Sequence, residues 1–254
     1  MGSRAPTGAL SPCRWETWNK VALTPAQSAR YIVLKDMGGA GQQRLSAAHI
    51  AIVGAGGLGA PVIAYLAGAG IGKLTIIDPD TISLSNLARQ VIYSDADLDS
   101  PKANAAARFA ARLNPEITPM AKVESLTPDK AKKLLSGADL VVEGTDSFAA
   151  KRAVAAACAD LEIPLITGAL GPFDGSVTVL APFLKRENGS HWPDFAALYP
   201  VDPTPEDSPP CELVGVLNVL PGIVGTMMAN EAIKYLAGFG EPLLGKLLIY
   251  SART

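Results

Sequence analysis

Short apolar runs alternate along this chain with stretches in which apolar residues recur every three or four positions. Residues 24–35, "TPAQSARYIVLK", have helical spacing, with Thr24 as N-cap and Pro25 at the first helical position. A turn and a short helix over "GGAGQQRLSAA" lead into a strand, "HIAIVGA", and from there the two periods take turns. "GLGAPVIAYLAGAG" reads as a helix closed by Gly70, and "KLTIID" as the second strand. "SPKANAAARFAARLN" is an alanine-rich helix with Ser100 as cap and Pro101 at its first position. "ITPMAKV", "ADLVVEG", "IPLITGA" and "GSVTVLAP" are further strands. Between them lie the helices "TPDKAKKLLSG", capped by Thr127, and "DSFAAKRAVAAACADL". A long apolar helix follows Pro221, and "GKLLIYS" is the last strand.

Strands that are apolar on both faces and separated by helices predict an α/β fold. The expected architecture is Rossmann-like, with a mainly parallel central sheet and helices on both faces. Residues 183–212 break the rhythm: they are rich in Pro and acidic residues and long for a loop. The expected organisation is a flexible N-terminal arm over 1–23 and one domain over 24–254, with 183–212 as a long insertion or crossover loop.

Composition narrows the classes of function. Hydrophobic content of 48% and charged content of 18% fit a soluble α/β protein. A net charge of −2 argues against nucleic acid or a membrane surface as partner. No apolar run is long enough for a membrane span. Cys13, Cys158 and Cys211 are an odd, scattered set, which suggests a reducing compartment and hence the cytoplasm. With His49 and His191 as the only histidines and no C-x-x-C, a structural zinc site has too few ligands.

The first chemical signal is "GAGGLG". Gly54, Gly56, Gly57 and Gly59 contain the G-x-G-x-x-G spacing at a strand end that opens a helix. Such a loop brings backbone N–H groups and a helix N-terminus up to a phosphate. Asp78, 19 residues after Gly59, ends the next strand, where a carboxylate would accept bonds from ribose hydroxyls. This much fits a redox dinucleotide as well as ATP.

The following residues change the balance. "DPDTISLSNLARQ" places Asn86, Arg89 and Gln90 after the second strand, Lys102 starts a helix, and Asp146 follows the fourth strand. Ligands of open α/β sheets bind beyond the carboxyl ends of strands, where all of these fall. Two cations, an amide and a carboxylate suit a triphosphate with Mg²⁺, with Asp146 on the metal. Taken singly, Lys102 reads as a solvated lysine and Asp146 as a helix N-cap. Their joint occurrence along one edge favours the nucleotide reading.

The ordered set "GAGGLG", "SNLARQ", "SPK" and "TDSF" resembles the MoeB/ThiF family of ubiquitin-activating-type adenylyltransferases, over about residues 27–250. "ITGALGPFDGSVTVL" and "ANEAIKYLAGFGEPLLGKLLIY" are similar to further segments of that family. The resemblance implies ATP-dependent adenylation of the C-terminal glycine of a small ubiquitin-like sulfur-carrier protein, with release of pyrophosphate. It implies that Gly57 lies in the nucleotide loop and that Asp78 holds the ribose. It implies that Asn86, Arg89 and Lys102 hold the triphosphate and that Asp146 binds Mg²⁺. Asp80, Ser85, Gln90 and Ser147 belong to the same nucleotide motifs. Arg30 matches an arginine that reaches ATP in the neighbouring subunit, which implies a homodimer. A sulfurtransferase or cysteine desulfurase would be the onward partner.

The chain departs from that pattern where the family commonly has P-C-x-x-C: Asp194 and Ala197 stand at the cysteine positions. No second cysteine pair follows in this sequence, so neither a structural zinc nor an added sulfurtransferase domain is expected. Ser147 replaces the usual Asn. Cys211 matches a cysteine that in some relatives bonds covalently to the carrier; an unreactive loop thiol is the other reading. Two rival functions remain: an NAD-dependent oxidoreductase, against which stands the lack of a hydride-transfer acid or base, and a non-catalytic carrier-binding scaffold.

Overall fold

A computed structural model describes residues 23–201, 203 and 215–254. Most of the predicted N-terminal arm, and Cys13 and Cys211 with it, lie outside the described residues. Five strands run parallel: β1 (His49–Val53), β2 (Lys73–Ile77), β3 (Thr118–Lys122), β4 (Leu140–Glu143) and β5 (Leu165–Leu170). Two more, β6 (Asp174–Leu180) and β7 (Leu247–Ser251), pair antiparallel at one side. The sheet order is β3-β2-β1-β4-β5-β6-β7, so the chain reverses its direction of travel between β1 and β4. That is the topological switch point at which open α/β sheets bind ligands.

Each parallel step requires a crossover, and helices supply them. α1 (Pro25–Ile32) and α2 (Gly38–Ala47) precede the sheet; α3 (Gly59–Gly68), α4 (Lys102–Leu113), α5 (Pro128–Leu135) and α6 (Phe148–Asp160) link its strands. α7 (Phe195–Leu198) is a single turn, and α8 (Leu220–Ala237) is the long apolar helix after the loop.

The period-two alternation of the strands splits the buried side chains into two layers. Ile50, Ile52, Leu74, Ile76, Leu140 and Val142 pack under α2, α3, α4 and α8. Ala51, Val53, Ile77, Val141 and Leu165 pack under α5 and α6. Helices on both faces of a mainly parallel sheet are the predicted architecture.

Several boundaries differ from the expectation. α1 has the Thr24 cap, completed by Gln27 in a capping box, but it stops at Ile32 instead of running to 35. Pro101, not Ser100, is the N-cap of α4, which makes Lys102 its first residue. Asp146 is not the cap of α6. Ser147 is, its hydroxyl accepting from the Ala150 N–H at 3.4 Å, and the aspartate stands outside the helix.

The described part of the 183–212 segment is structured. Arg186 stacks 4.7 Å from the Trp192 ring centre, and Asp194 Oδ1 accepts from the Ala197 N–H at 2.8 Å. The two positions where the resemblance would place cysteines are thus joined by a helix cap. Buried Phe195 meets Phe148 and Tyr199 at 5.5 and 5.0 Å, with the Arg152 guanidinium over both phenylalanines. Aromatic pairs and a stacked arginine fasten this segment to α6. Among the described residues, no helix is long and apolar enough to cross a membrane.

Candidate active site

Val53 pairs with both Ile77 and Glu143, so β1, β2 and β4 end flush. Their three outgoing loops therefore issue side by side from one edge. The first is the glycine loop. Gly54 has φ of +93°, a conformation that a side chain disfavours, and a Cβ there would press on the Gly144 carbonyl at 3.1 Å. The glycine loop and the 144–147 loop are in direct backbone contact.

Buried Asp78 fastens the glycine loop. Its carboxylate accepts from the Ala55 N–H at 2.7 Å and the Asp80 N–H at 2.8 Å. Burial pushes the Asp78 carboxyl above its usual range, and these two bonds and the Lys102 charge pull it back. On the other side of the loop, the Tyr93 hydroxyl donates to the Ala55 carbonyl at 2.7 Å. Burial pushes that phenol up as well, which keeps it a donor.

The second loop contributes the cations. Asn86 ends a 3₁₀ turn and its Oδ1 accepts from the Ser83 N–H at 3.1 Å. Exposed Ser85 bonds the Ser83 hydroxyl, and its carbonyl accepts from Arg89 Nη1 at 3.1 Å. Arg89 Cδ lies 3.9 Å from where a Gly57 Cβ would stand, and Gln90 Nε2 lies 3.7 Å from the same point on Gly56. The motif "SNLARQ" is thereby folded over the glycine loop. Gln90 is 2% exposed, and its Oε1 has no partner among the described residues.

Lys102 is not the solvated lysine that its position alone suggests. It is 7% exposed, and its Nζ pairs with Asp80 at 2.9 Å while its backbone N–H donates to the Asp80 carbonyl. Asp80 itself is largely exposed, so the pair sits at the mouth of the site.

The third loop presents Asp146. It is exposed and makes no hydrogen bond or ion pair among the described residues. A carboxylate left unpaired beside a phosphate-type loop fits Mg²⁺, which is usually held by one or two carboxylates plus substrate phosphates. The described residues offer no group of three metal-ligating side chains, so no all-protein cage competes with that reading. Arg30 is exposed on α1, which packs on α2, and it has no partner among the described residues. Cys211 lies outside the described residues.

Three residues that sequence reasoning passed over support the site: Tyr93, Glu143 and Lys151. Glu143 is fully buried at the end of β4, and Lys151, one turn into α6, bonds it at 2.9 Å. A glutamate inside the apolar run "LVVEG" was a visible signal; Tyr93 and Lys151 had none.

Comparison with known proteins identifies the family. The family model described as "ThiF family" matches residues 28–254. A sulfur carrier protein adenylyltransferase of Thermus thermophilus is 42% identical over 224 residues, covering 88% of this chain and 82% of the relative. A molybdopterin-synthase adenylyltransferase of Salmonella typhimurium is 39% identical, covering 89% of this chain and 87% of the relative. In fold, the chain resembles the crystal structure of E. coli MccB with ATP, at a TM-score of 0.76 and 20% identity, covering 96% of this chain and 71% of that one. On the family match and these identities, the chain belongs to the ThiF family.

Proposed function

We propose that this protein adenylates the C-terminal glycine carboxylate of a small ubiquitin-like sulfur carrier ending in Gly-Gly, with ATP as co-substrate. The observation that carries the reading is the arrangement around the glycine loop. Arg89 and Lys102 flank it, and the unpaired Asp146 stands beside it. The relatives named as sulfur carrier and molybdopterin-synthase adenylyltransferases support the same chemistry.

The Gly54–Gly59 loop and the N-terminus of α3 receive the phosphates, and Asp78 the ribose. Asn86, Gln90, Asp80, Ser85 and Ser147 line the nucleotide. Gln90 Oε1, buried and unpartnered, is free to accept a bond from it. The carrier's carboxylate is already ionised at neutral pH, so its attack on the α-phosphate needs no general base. Catalysis is then positioning and charge stabilisation. Lys102 leaves Asp80 for the phosphates, and Arg89 neutralises charge on the departing pyrophosphate. Bound Mg²⁺, held through Asp146, would supply further neutralisation of phosphate charge. Arg30, without a partner among the described residues, would complete the site of a second subunit in a homodimer. The acyl-adenylate passes to a sulfur donor such as a sulfurtransferase or cysteine desulfurase, or to Cys211. We place the reaction in the cytoplasm, in molybdopterin, thiamin or related sulfur-transfer biosynthesis.

The oxidoreductase alternative finds no support in the histidines. His49 is bonded to the Gly137 carbonyl and the Thr75 hydroxyl at the opposite edge of the sheet, and His191 to the Pro182 carbonyl. ATP–pyrophosphate exchange that appears only when a Gly-Gly-tailed carrier is added is the expected result. Tighter binding of NAD than of ATP would overturn the reading, and carrier binding without exchange would favour a scaffold. Cys211→Ala should leave exchange at the wild-type rate, since the thiol acts after adenylation. A lost exchange activity would place Cys211 in the first step instead.

A further inference from the structure

Glu143 and Lys151 form a buried ion pair with more partners than an ion pair needs. Glu143 Oε1 accepts from both the backbone N–H and the hydroxyl of Thr145, each at 2.6 Å. Its Oε2 accepts from the Thr167 hydroxyl at 2.7 Å and from Lys151 Nζ at 2.9 Å. Lys151 Nζ donates onward to the Gly168 carbonyl at 2.6 Å. One carboxylate and one ammonium thus join the end of β4, the middle of β5, the first turns of α6 and the loop that precedes it. Every bond to Thr145 is made one residue before Asp146. The same loop presses on Gly54 through Gly144.

We propose that the Glu143–Lys151 pair is a positioning element: by gripping Thr145 at two points, it sets where the Asp146 carboxylate stands relative to the glycine loop. The inference rests on the reading of Asp146 as the residue that holds Mg²⁺ with ATP. The physical case is that a loop ending in an exposed residue has no packing of its own to fix it. Asp146 makes no hydrogen bond or ion pair among the described residues, and Gly144 offers no side chain. Asp146 is held through its chain neighbours: on one side Ser147 caps α6 through a bond of 3.4 Å from the Ala150 N–H, and on the other Thr145 is gripped twice at 2.6 Å by a carboxylate, the stronger kind of bond. Groups that orient a metal-binding carboxylate typically matter about 10-fold to 100-fold in metal affinity.

The test compares Thr145→Val, Thr145→Ser and Glu143→Gln. Binding of Mn²⁺ to the protein saturated with a non-hydrolysable ATP analogue, read by electron paramagnetic resonance, is measured beside thermal melting. Thr145→Val removes the hydroxyl's bond to Glu143 Oε1 and its longer one of 3.4 Å to the Ser147 carbonyl, and leaves both members of the ion pair in place. It should weaken Mn²⁺ binding by about tenfold, keep affinity for the metal-free nucleotide within about twofold, and lower melting by several degrees, as the loss of one bond to a buried charged group does, but by less than Glu143→Gln. Thr145→Ser keeps the hydroxyl and should bind Mn²⁺ as the wild type does. Glu143→Gln should weaken Mn²⁺ more, with some loss of stability. Because that variant strips a buried ammonium of its counter-charge, Thr145→Val decides the question if Glu143→Gln does not fold. Wild-type Mn²⁺ affinity in Thr145→Val, or an equal loss in Thr145→Ser, would overturn the proposal. Failure of the underlying reading looks different: Asp146→Ala would then bind Mn²⁺ normally.

Discussion

Asp146→Ala should reduce carrier-dependent ATP–pyrophosphate exchange by at least about a hundredfold, the range seen when one preorganised charge-stabilising group is removed. It should do so without weakening the fold. Asp146 is exposed, has no partner among the described residues and does not cap α6, which Ser147 does. Surface substitutions of that kind change stability by about 0.5 kcal/mol or less, so melting should stay within about 2 °C of wild type. The combination separates a functional carboxylate from a structural one. Asp146→Asn tests the charge alone, and the same loss is expected, because a neutral amide is a poor ligand for a hard cation. Asp78 provides the contrast. Its carboxylate holds the Ala55 and Asp80 N–H groups, so Asp78→Ala should lower stability and nucleotide affinity together. Exchange that persists in Asp146→Ala would remove the metal role and leave Arg89 and Lys102 as the groups that carry the phosphates.

The contrast between these two aspartates marks what the sequence could tell. That Asp78, Asn86, Arg89 and Asp146 gather at one edge of the sheet was legible because parallel strands end together. An apolar run followed by polar residues announces such an end without knowledge of the neighbours. What the chain order does not encode is which polar groups meet across the loops. Lys102 looked solvated because nothing near it in sequence covers it. The carboxylate that draws it in, Asp80, is 22 residues away. Taken singly Asp146 suggests a cap, because Asp and Ser are both good caps and lie side by side; hydrogen-bond geometry alone decides for Ser147. Glu143 could have been flagged, since a charge in a buried strand must find a counter-charge. Its partner Lys151 could not be named, because that pairing depends on the angle at which α6 leaves the sheet. The segment that carries Asp194 and Ala197 is held by Phe195, Phe148, Tyr199 and Arg152, a cluster contributed by two distant segments.

Gly59→Ala should be the most damaging single-methyl change in the chain's nucleotide loop. Gly59 opens α3 directly beneath the Gly54 carbonyl. A methyl group there would fall well inside 3.0 Å of that oxygen and 2.8 Å from its carbon, closer than real Cβ atoms come to backbone. No rotamer change can relieve the clash, since both parties are backbone. Either α3 must lift from β1 or the loop must move outward. α3 is held by α8 and by its buried residues Ala60, Val62, Ile63 and Leu66, so the loop should give way. Movement there pulls the Ala55 N–H off Asp78 and disturbs the contact of Gly54 with Gly144. Overpacking of this severity costs about 3 kcal/mol, roughly 6–12 °C in Tm for a chain of this size. Loss of ATP binding should be larger still under the proposed function, in which this loop receives the phosphates. Gly68→Ala, in the last turn of the same helix, is the matched control. A Cβ at Gly68 meets nothing within 4 Å, and the substitution should raise stability by up to about 1 kcal/mol through the stiffer unfolded chain. Thermal melting and ATP-analogue titration of the two variants decide the matter: equal behaviour would mean that the close packing of helix on strand at Gly59 does not shape the loop.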